Sequence, residues 1–150
     1  MLKNLITDFN AESIIEIGKN KYECEIYHTS QHNTKIKMNS PVDFEGLIIS
    51  SENKKQRINF ENLNCEFEKN IFTENSSPNL IFKILDSLND ISDFSQNTLE
   101  NDNIVVLGKI DNIKFEVICD QNGIIKEIFI PEKNIKIQTF CVPLDLNSTS

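Results

Sequence analysis

Residues 104–141, IVVLGKIDNIKFEVICDQNGIIKEIFIPEKNIKIQTFC, decide the fold of this chain. Apolar and polar residues alternate along this stretch with a period of two, which is typical of strands that bury one face. Short polar breaks at Asp111-Asn112 and Asp120–Gly123 separate the alternating segments, and Pro131 ends a third. Strands joined by tight turns pair antiparallel, so the stretch predicts a meander of strands at 104–108, 113–119, 124–130 and 134–141.

The first half of the chain alternates in the same way. We expect turns at Gly18–Lys21 and Ser30–Asn33, and we expect Pro41 to end a strand because proline cannot donate to a ladder. The predicted strands lie at about 15–17, 22–28, 35–39, 47–49, 57–60 and 63–67. The polar residues 90–102 are predicted to form a loop or loose turn.

Two segments repeat their apolar residues at helical spacing instead. The first predicts a short amphipathic helix over residues 2–9. The second predicts a helix over residues 78–89, for which Ser77 is a good N-cap and Pro78 suits the first turn. The apolar positions of this second helix are Leu80, Ile81, Ile84, Leu85 and Leu88.

The composition favours a mostly β fold of the α+β kind. Among the 150 residues there are 23 isoleucines and one alanine, a usage that favours strands over helices. The length fits a single domain, expected over residues 1–145 with a flexible polar tail at 146–150. Because an antiparallel sheet of about ten strands curls or closes, we expect a curved half-barrel with helix 78–89 plugging its inner face.

The charge of the chain bears on the class of partner. The formal charge is −8 and Arg57 is the single arginine, which argues against nucleic acid as a partner. The first ten residues contain no apolar stretch of the kind that a secretory signal needs. The protein is therefore either cytoplasmic or the mature part of an exported precursor.

Residue patterns that carry chemistry are sparse. His28 and His32 lie on a strand and a turn and are expected at the surface, and no metal site, cofactor or catalytic residue is predicted. The chain has no Gly-rich phosphate loop and no G-x-S-x-G. Four cysteines fall in the apolar phase of predicted strands and are expected to be buried free thiols, with one structural disulfide as the alternative: Cys24, Cys65, Cys119 and Cys141.

Two surfaces are candidates for binding. The apolar phase of the first half-sheet and the helix stripe form either a filled core or a cavity for an apolar ligand. The residues of this face are Met38, Ile49, Phe60, Phe67, Ile84 and Leu85. The last predicted strand has no successor to cover it, so it is either a free edge for a partner or homodimer, or a strand paired with an early one. The candidate edge residues are Ile135, Lys136, Ile137 and Gln138.

The segment Ser40-Pro-Val-Asp-Phe-Glu-Gly46 lies between two predicted strands. A strand followed by a proline corner, an acidic residue and a glycine that opens the next strand resembles the LolA-like family, and the matching corner positions are Pro41, Asp43 and Gly46. The order of elements over about 140 residues is also similar to that family. The Asn/Ile/Lys-rich composition is most similar to its clostridial spore-germination lipoproteins.

The resemblance implies an extracytoplasmic protein without catalytic activity. It implies support of a protein partner, such as a cell-wall amidase in cortex formation. Alternatively, it implies carriage of lipid or lipoprotein acyl chains in an apolar cavity. The chain lacks the lipobox cysteine that anchors such lipoproteins.

Overall fold

The computed structural model describes residues 2–53, 55–67 and 76–143. Within them, eleven strands and one α-helix alternate with two short 3₁₀ turns, Val42–Phe44 and Pro131–Lys133. The helix, α1, spans Ser77–Ser87. The strands are β1 (Phe9–Ile17), β2 (Asn20–Thr29), β3 (Asn33–Ser40), β4 (Ile48–Glu52), β5 (Lys55–Phe60), β6 (Leu63–Phe67), β7 (Ser95–Thr98), β8 (Ile104–Ile110), β9 (Ile113–Cys119), β10 (Ile125–Ile130) and β11 (Ile135–Pro143).

The strands form one antiparallel sheet that is not closed into a barrel. Their order is β6-β5-β4-β3-β2-β1-β11-β10-β9-β8-β7. Two meanders, β1–β6 and β7–β11, therefore join along the pairing of β1 with β11, where Ile15 lies opposite Ile137. This confirms the predicted mostly β, open antiparallel fold, with eleven strands where about ten were expected.

The predicted helix over residues 2–9 is wrong. Residues 2–8 contain no helix, and Phe9 begins β1. The amide of Ile6 donates to the carbonyl of Gly123 at 2.9 Å, and the backbone of Leu2 exchanges hydrogen bonds of 3.0 and 2.9 Å with the Gln96 side chain. So short a helix is marginal in water, and these contacts, with the burial of Leu5, fix an irregular path instead.

The predicted edge at Ile135, Lys136, Ile137 and Gln138 is also wrong. These residues lie in β11, in the middle of the sheet, between β1 and β10. Ile137 is opposite Ile15 on one side and Ile128 on the other. The alternative, that the last strand pairs with an early one, is correct, because β11 pairs with β1. This pairing joins two half-sheets and does not close a barrel. The described edges are β6 and β7, and β7 lies inside the segment expected to be a loop.

Helix α1 covers the inner face of the sheet, which is the face that carries the buried side chains. Its buried residues include Leu80, Ile84 and Leu85. Pro78 lies in the first turn as expected, but the N-cap is Ser76 rather than Ser77. The backbone of α1 approaches β8 in the second half-sheet, while its side chains also reach β1–β5.

Candidate functional site

The C-terminal end of α1 is held by polar contacts on both sides. The carboxylate of Asp86 lies 3.3 Å from Nε2 of His28 on β2. The ammonium of Lys83 lies 2.7 Å from a carboxylate oxygen of Asp111, in the turn between β8 and β9. The side-chain amide of Asn89, just beyond the helix, donates to the carbonyl of Ser30 at 3.3 Å. These contacts connect one end of the helix to both half-sheets.

His28 is buried, which corrects the expectation that it lies at the surface. Its side chain is fully inaccessible, and Nδ1 donates to the carbonyl oxygen of Thr7 at 2.6 Å. His32 is exposed as expected, and its Nδ1 lies 3.6 Å from the same Asp86 oxygen. The burial of His28 could have been predicted from the sequence, because His28 lies on the same face of β2 as the buried Cys24 and Ile26.

The N-terminal end of α1 is held differently. The side chain of the N-cap residue, Ser76, makes no capping hydrogen bond to the part of the chain that the structure describes. A serine at this position normally accepts a hydrogen bond from the N–H of the second or third helical residue. Polar contacts are nevertheless present at both ends of α1, since Asn79 in the first turn accepts a hydrogen bond from Gln56 of β5 at 3.0 Å.

An apolar hollow of about 130 Å³ lies beneath this N-terminal end. Only apolar surface lines it, and half-buried lining residues such as Ile49 and Pro78 connect it to the outside. The lining residues come from β1–β4 and from the start of α1: Ile15, Ile17, Tyr22, Ile36, Met38, Ile49, Ser77, Pro78 and Ile81. The hollow is a place where a small apolar group can leave water.

A second hollow, about 430 Å³ in volume and bordered by several polar side chains, lies on the other flank of α1. Two buried amides meet there, where Nε2 of Gln56 donates to Oδ1 of Asn79 at 3.0 Å. Its lining residues are His32, Ser51, Asn53, Gln56, Asn79, Phe82, Lys83 and Asp86. Neither amide was predicted from the sequence, because a lone Gln or Asn in an alternating or helical pattern gives no sign of burial.

The residues predicted for the apolar face separate into three groups. Met38 and Ile49 line the apolar hollow. Ile84 and Leu85 are buried in the core and do not line it. Phe60 is half-buried at the end of β5 and is also not part of the lining, while the side chain of Phe67 lies outside the described residues.

The corner positions lie where the resemblance placed them, between β3 and β4. Pro41 follows β3 directly, and Asp43 lies in the 3₁₀ turn. Gly46 has a φ of 88°, and its amide donates to the carbonyl of Met38 at 2.8 Å. This positive φ explains the glycine, because other residues adopt it at a cost. The corner leaves Val42 and Phe44 exposed.

The cysteines behave as small apolar residues. Cys24 and Cys119 are free and buried, as expected, whereas Cys65 is free but only half-buried, and the side chain of Cys141 lies outside the described residues. Burial, with a smaller contribution from the charge of Glu25, raises the pKa of Cys24 to about 12. Burial, with a smaller contribution from Asp120, raises the pKa of Cys119 to about 11. Both thiols are therefore neutral at pH 7 and poor nucleophiles.

Metal-binding clusters and membrane-spanning helices are both missing from the described ranges. No group of three or more His, Cys, Asp or Glu side chains there is arranged to hold a metal ion. Within the same residues, no helix has the length and apolarity needed to cross a membrane.

Comparisons with known proteins give a likeness of fold. No protein-family model matches the chain, and no curated protein matches it significantly. An uncharacterized conserved protein from Thermus thermophilus is similar in structure, with a TM-score of 0.57 at 10% identity over 92% of this chain and 79% of that one. A LolA superfamily protein from Nitrosomonas europaea gives a TM-score of 0.41 at 8% identity, over 92% of this chain and 86% of that one. The likeness to the Thermus protein shows that this arrangement of strands and helix is a shared fold.

Proposed function

We propose that this protein is a non-catalytic binding protein that takes an apolar group, such as the end of an acyl chain, into the hollow beneath the N-terminal end of α1. The observation that carries the proposal is the hollow itself, which is lined only by apolar surface and lies beneath the first turn of α1. This is the carrier function that the LolA-like resemblance implies. An extracytoplasmic location belongs to the same proposal.

The size of the hollow sets what it can hold. Ligand pockets typically measure about 300–1,000 Å³, whereas an apolar cavity of roughly 150 Å³ holds a ligand the size of benzene. At about 130 Å³ the hollow accommodates the end of a chain. Binding of a longer chain requires the first turn of α1 to move away from Met38 and Ile49, which also strains the hydrogen bond between Asn79 and Gln56.

Two reactive side-chain types on the inner face, outside the lining of the hollow, are in states that favour binding over catalysis. The Cys24 thiol, whose pKa is raised to about 12, does not supply a thiolate at neutral pH. His28 is engaged by the Thr7 carbonyl and the Asp86 carboxylate and has no contact with solvent. Both groups serve the structure rather than a reaction in this arrangement.

A direct test uses a dansyl-labelled undecanoic acid as the probe and its fluorescence as the readout. We expect saturable binding that Ile49→Trp weakens at least about tenfold, because an indole fills a hollow of this size. The matched control is Ile110→Trp, which changes another half-buried isoleucine that packs against the core, in the second half-sheet. The control should bind within about twofold of the unmodified protein.

The proposal fails if the probe does not bind, or if Ile49→Trp and Ile110→Trp weaken binding equally. The unfolding free energies of the two variants, measured by urea titration, separate a filled hollow from a damaged fold. Support of a protein partner, the other function that the resemblance implies, would use a different surface of the sheet.

A further inference from the structure

Strand β11 continues beyond its pairing with β10. The register with β10 ends where Gln138 lies opposite Glu127, whereas the register with β1 continues to Pro143. A hollow of about 540 Å³ lies where the pairing with β10 stops, and Lys126, Glu127 and Phe140 are among its lining residues. Beyond this point the hydroxyl of Thr139 donates to the carbonyl of Ile125 at 2.8 Å, so a side chain rather than the backbone ladder joins the two central strands there.

The side chain of Phe140 projects from the outer face beside this hollow. It is 64% exposed, while its neighbour Thr139 is buried on the inner side. Another hollow on this outer face, of about 350 Å³, lies on the β1 side of the ring. Its lining includes Glu12, Ile14 and Glu23. A phenyl ring that stands in water between two hollows is typical of the aromatic anchors found at the centres of protein interfaces.

The charges around the ring are one-sided. Glu12 has Phe140 opposite it on β11 and Glu25 opposite it on β2, and like charges in directly opposite positions destabilise a sheet. Glu25 has Lys37 opposite it on β3. Among the described residues, no Lys or Arg nitrogen lies within 4.0 Å of the carboxylates of Glu12, Glu23 or Glu127. Three carboxylates therefore lie in the linings of the two hollows beside the ring, and Lys126 is the one cation in the same linings.

We propose that this face, defined by Phe140, Glu12, Glu23 and Glu127, binds a protein partner that presents lysine or arginine side chains next to an apolar residue. Carboxylates attract and orient a basic surface, and a cation placed over the phenyl ring gains a cation–π contact. The partner's apolar residue fills the hollows beside the ring. This proposal goes beyond the apolar ligand, because it uses the opposite face of the sheet.

The test uses a capped nine-residue peptide of alternating lysine and leucine as the probe. Its binding is measured by the changes in amide chemical shifts of the isotope-labelled protein. We expect shifts concentrated at residues 12–14, 23–25, 125–127 and 138–140. Raising the salt concentration from about 50 to 300 mM should weaken binding at least fivefold, because the contact is between exposed charges. A peptide with glutamate in place of lysine should not bind.

Two variants and two controls assign the contact. Phe140→Ser, and separately Glu12→Gln combined with Glu23→Gln, should each weaken binding of the lysine–leucine peptide about five- to tenfold. Leu63→Ser changes an exposed apolar residue of similar exposure (57%) on β6, and Glu100→Gln changes an exposed glutamate in a loop. Both controls should bind within about twofold of the unmodified protein. If Phe140→Ser fails to fold, the double glutamate variant decides the outcome.

Three results would overturn the proposal. The first is a set of shifts centred elsewhere, for example on the hollow beneath α1. The second is equal binding by the variants and their controls. The third concerns residues 144–150: if a chain that ends at Pro143 binds the probe at least fivefold more tightly, the chain's own C-terminal residues occupy this face.

Discussion

The two half-sheets differ in how completely α1 covers them. In β8–β11 the inner-face residues are almost inaccessible, as for Val106, Val117 and Ile130 at 0% exposure. In the first half-sheet, Ala11 and Ile26 are equally buried, but Ile49 on β4 and Ile58 on β5 remain half-buried. A helix about 10–12 Å across cannot cover eleven strands spaced about 4.8 Å apart. Both hollows beside α1 lie over the first half-sheet, which supplies their lining residues from the strands.

The largest expected effect tests α1, the helix that covers the inner face of the sheet. Leu85→Ala removes a fully buried leucine from α1 and should lower the free energy of unfolding by about 2–5 kcal/mol. Chemical denaturation measures the change. A loss below about 0.5 kcal/mol would mean that Leu85 is not buried and that α1 does not fill the inner face.

A close approach in the second half-sheet gives the next effect. Gly108 lies directly opposite Phe115, and a Cβ added at Gly108 would lie 2.4 Å from Cζ of that ring. The ring also packs edge-on against Phe94, which limits how far it can move. Gly108→Ala should therefore cost about 1–3 kcal/mol in thermal or chemical unfolding.

The same substitution made together with Phe115→Leu separates the clash from other causes. The smaller side chain leaves room for the new methyl group, so the cost of Gly108→Ala should fall in that background. An unchanged cost would show that the ring is not the obstacle and would weaken the picture of a tightly packed second half.

One matched substitution compares the halves directly. Ile128→Val, on the inner face of β10, should cost about 0.5–1.5 kcal/mol, because that isoleucine is 2% exposed. Ile49→Val, beside the apolar hollow, should cost less than about 0.5 kcal/mol, because surrounding space already exists there. Equal costs for the two substitutions, or a larger cost for Ile49→Val, would show that the first half-sheet is packed as tightly as the second at these positions.

The smallest effect is a pH dependence contributed by one thiol in each half. Burial holds the pKa of Cys24 at about 12 and that of Cys119 at about 11, above the ordinary 9.0. The unfolded chain therefore loses these protons first as the pH rises. Each thiol should make its full contribution to the free energy of unfolding below about pH 9. That contribution should fall by up to about 1 kcal/mol by pH 10.

The single variants Cys24→Ala and Cys119→Ala should each flatten the change in unfolding free energy between pH 8 and pH 10. Unfolding curves at the two pH values, compared with those of the unmodified protein, give the slope. A slope that neither variant changes would mean that the thiols are accessible in the folded state.

Most of the fold was predictable because alternation records which side of a strand is buried. The meander from Ile104 onward and the helix stripe of Leu80, Ile84 and Leu85 are patterns of this kind. The path of residues 2–8 was not predictable, since a hydrogen bond to Gly123 and another to Gln96 decide it. The position of β11 was missed for a related reason: the pairing of β1 with β11 joins residues more than 100 positions apart, and no local signal records it.

The candidate site was predictable only in part. Met38 and Ile49 were identified from their phase on two strands, but the same phase also selected Phe60, which does not line the hollow. Which inner-face residues line an opening depends on where the helix lies across the sheet. The contacts of His28, Lys83 and Asp86 determine that position, and they connect elements far apart in the chain.

The central claim, that an apolar ligand enters on the first half-sheet beneath α1, is tested most directly by methyl NMR of the isoleucines. Isoleucine occurs 23 times, with methyl groups in both halves and in α1. Titration with decanoate should shift Ile15, Ile36, Ile49 and Ile81, and leave Ile128 and Ile130 unchanged. No shifts, or shifts centred on β8–β11, would contradict the account.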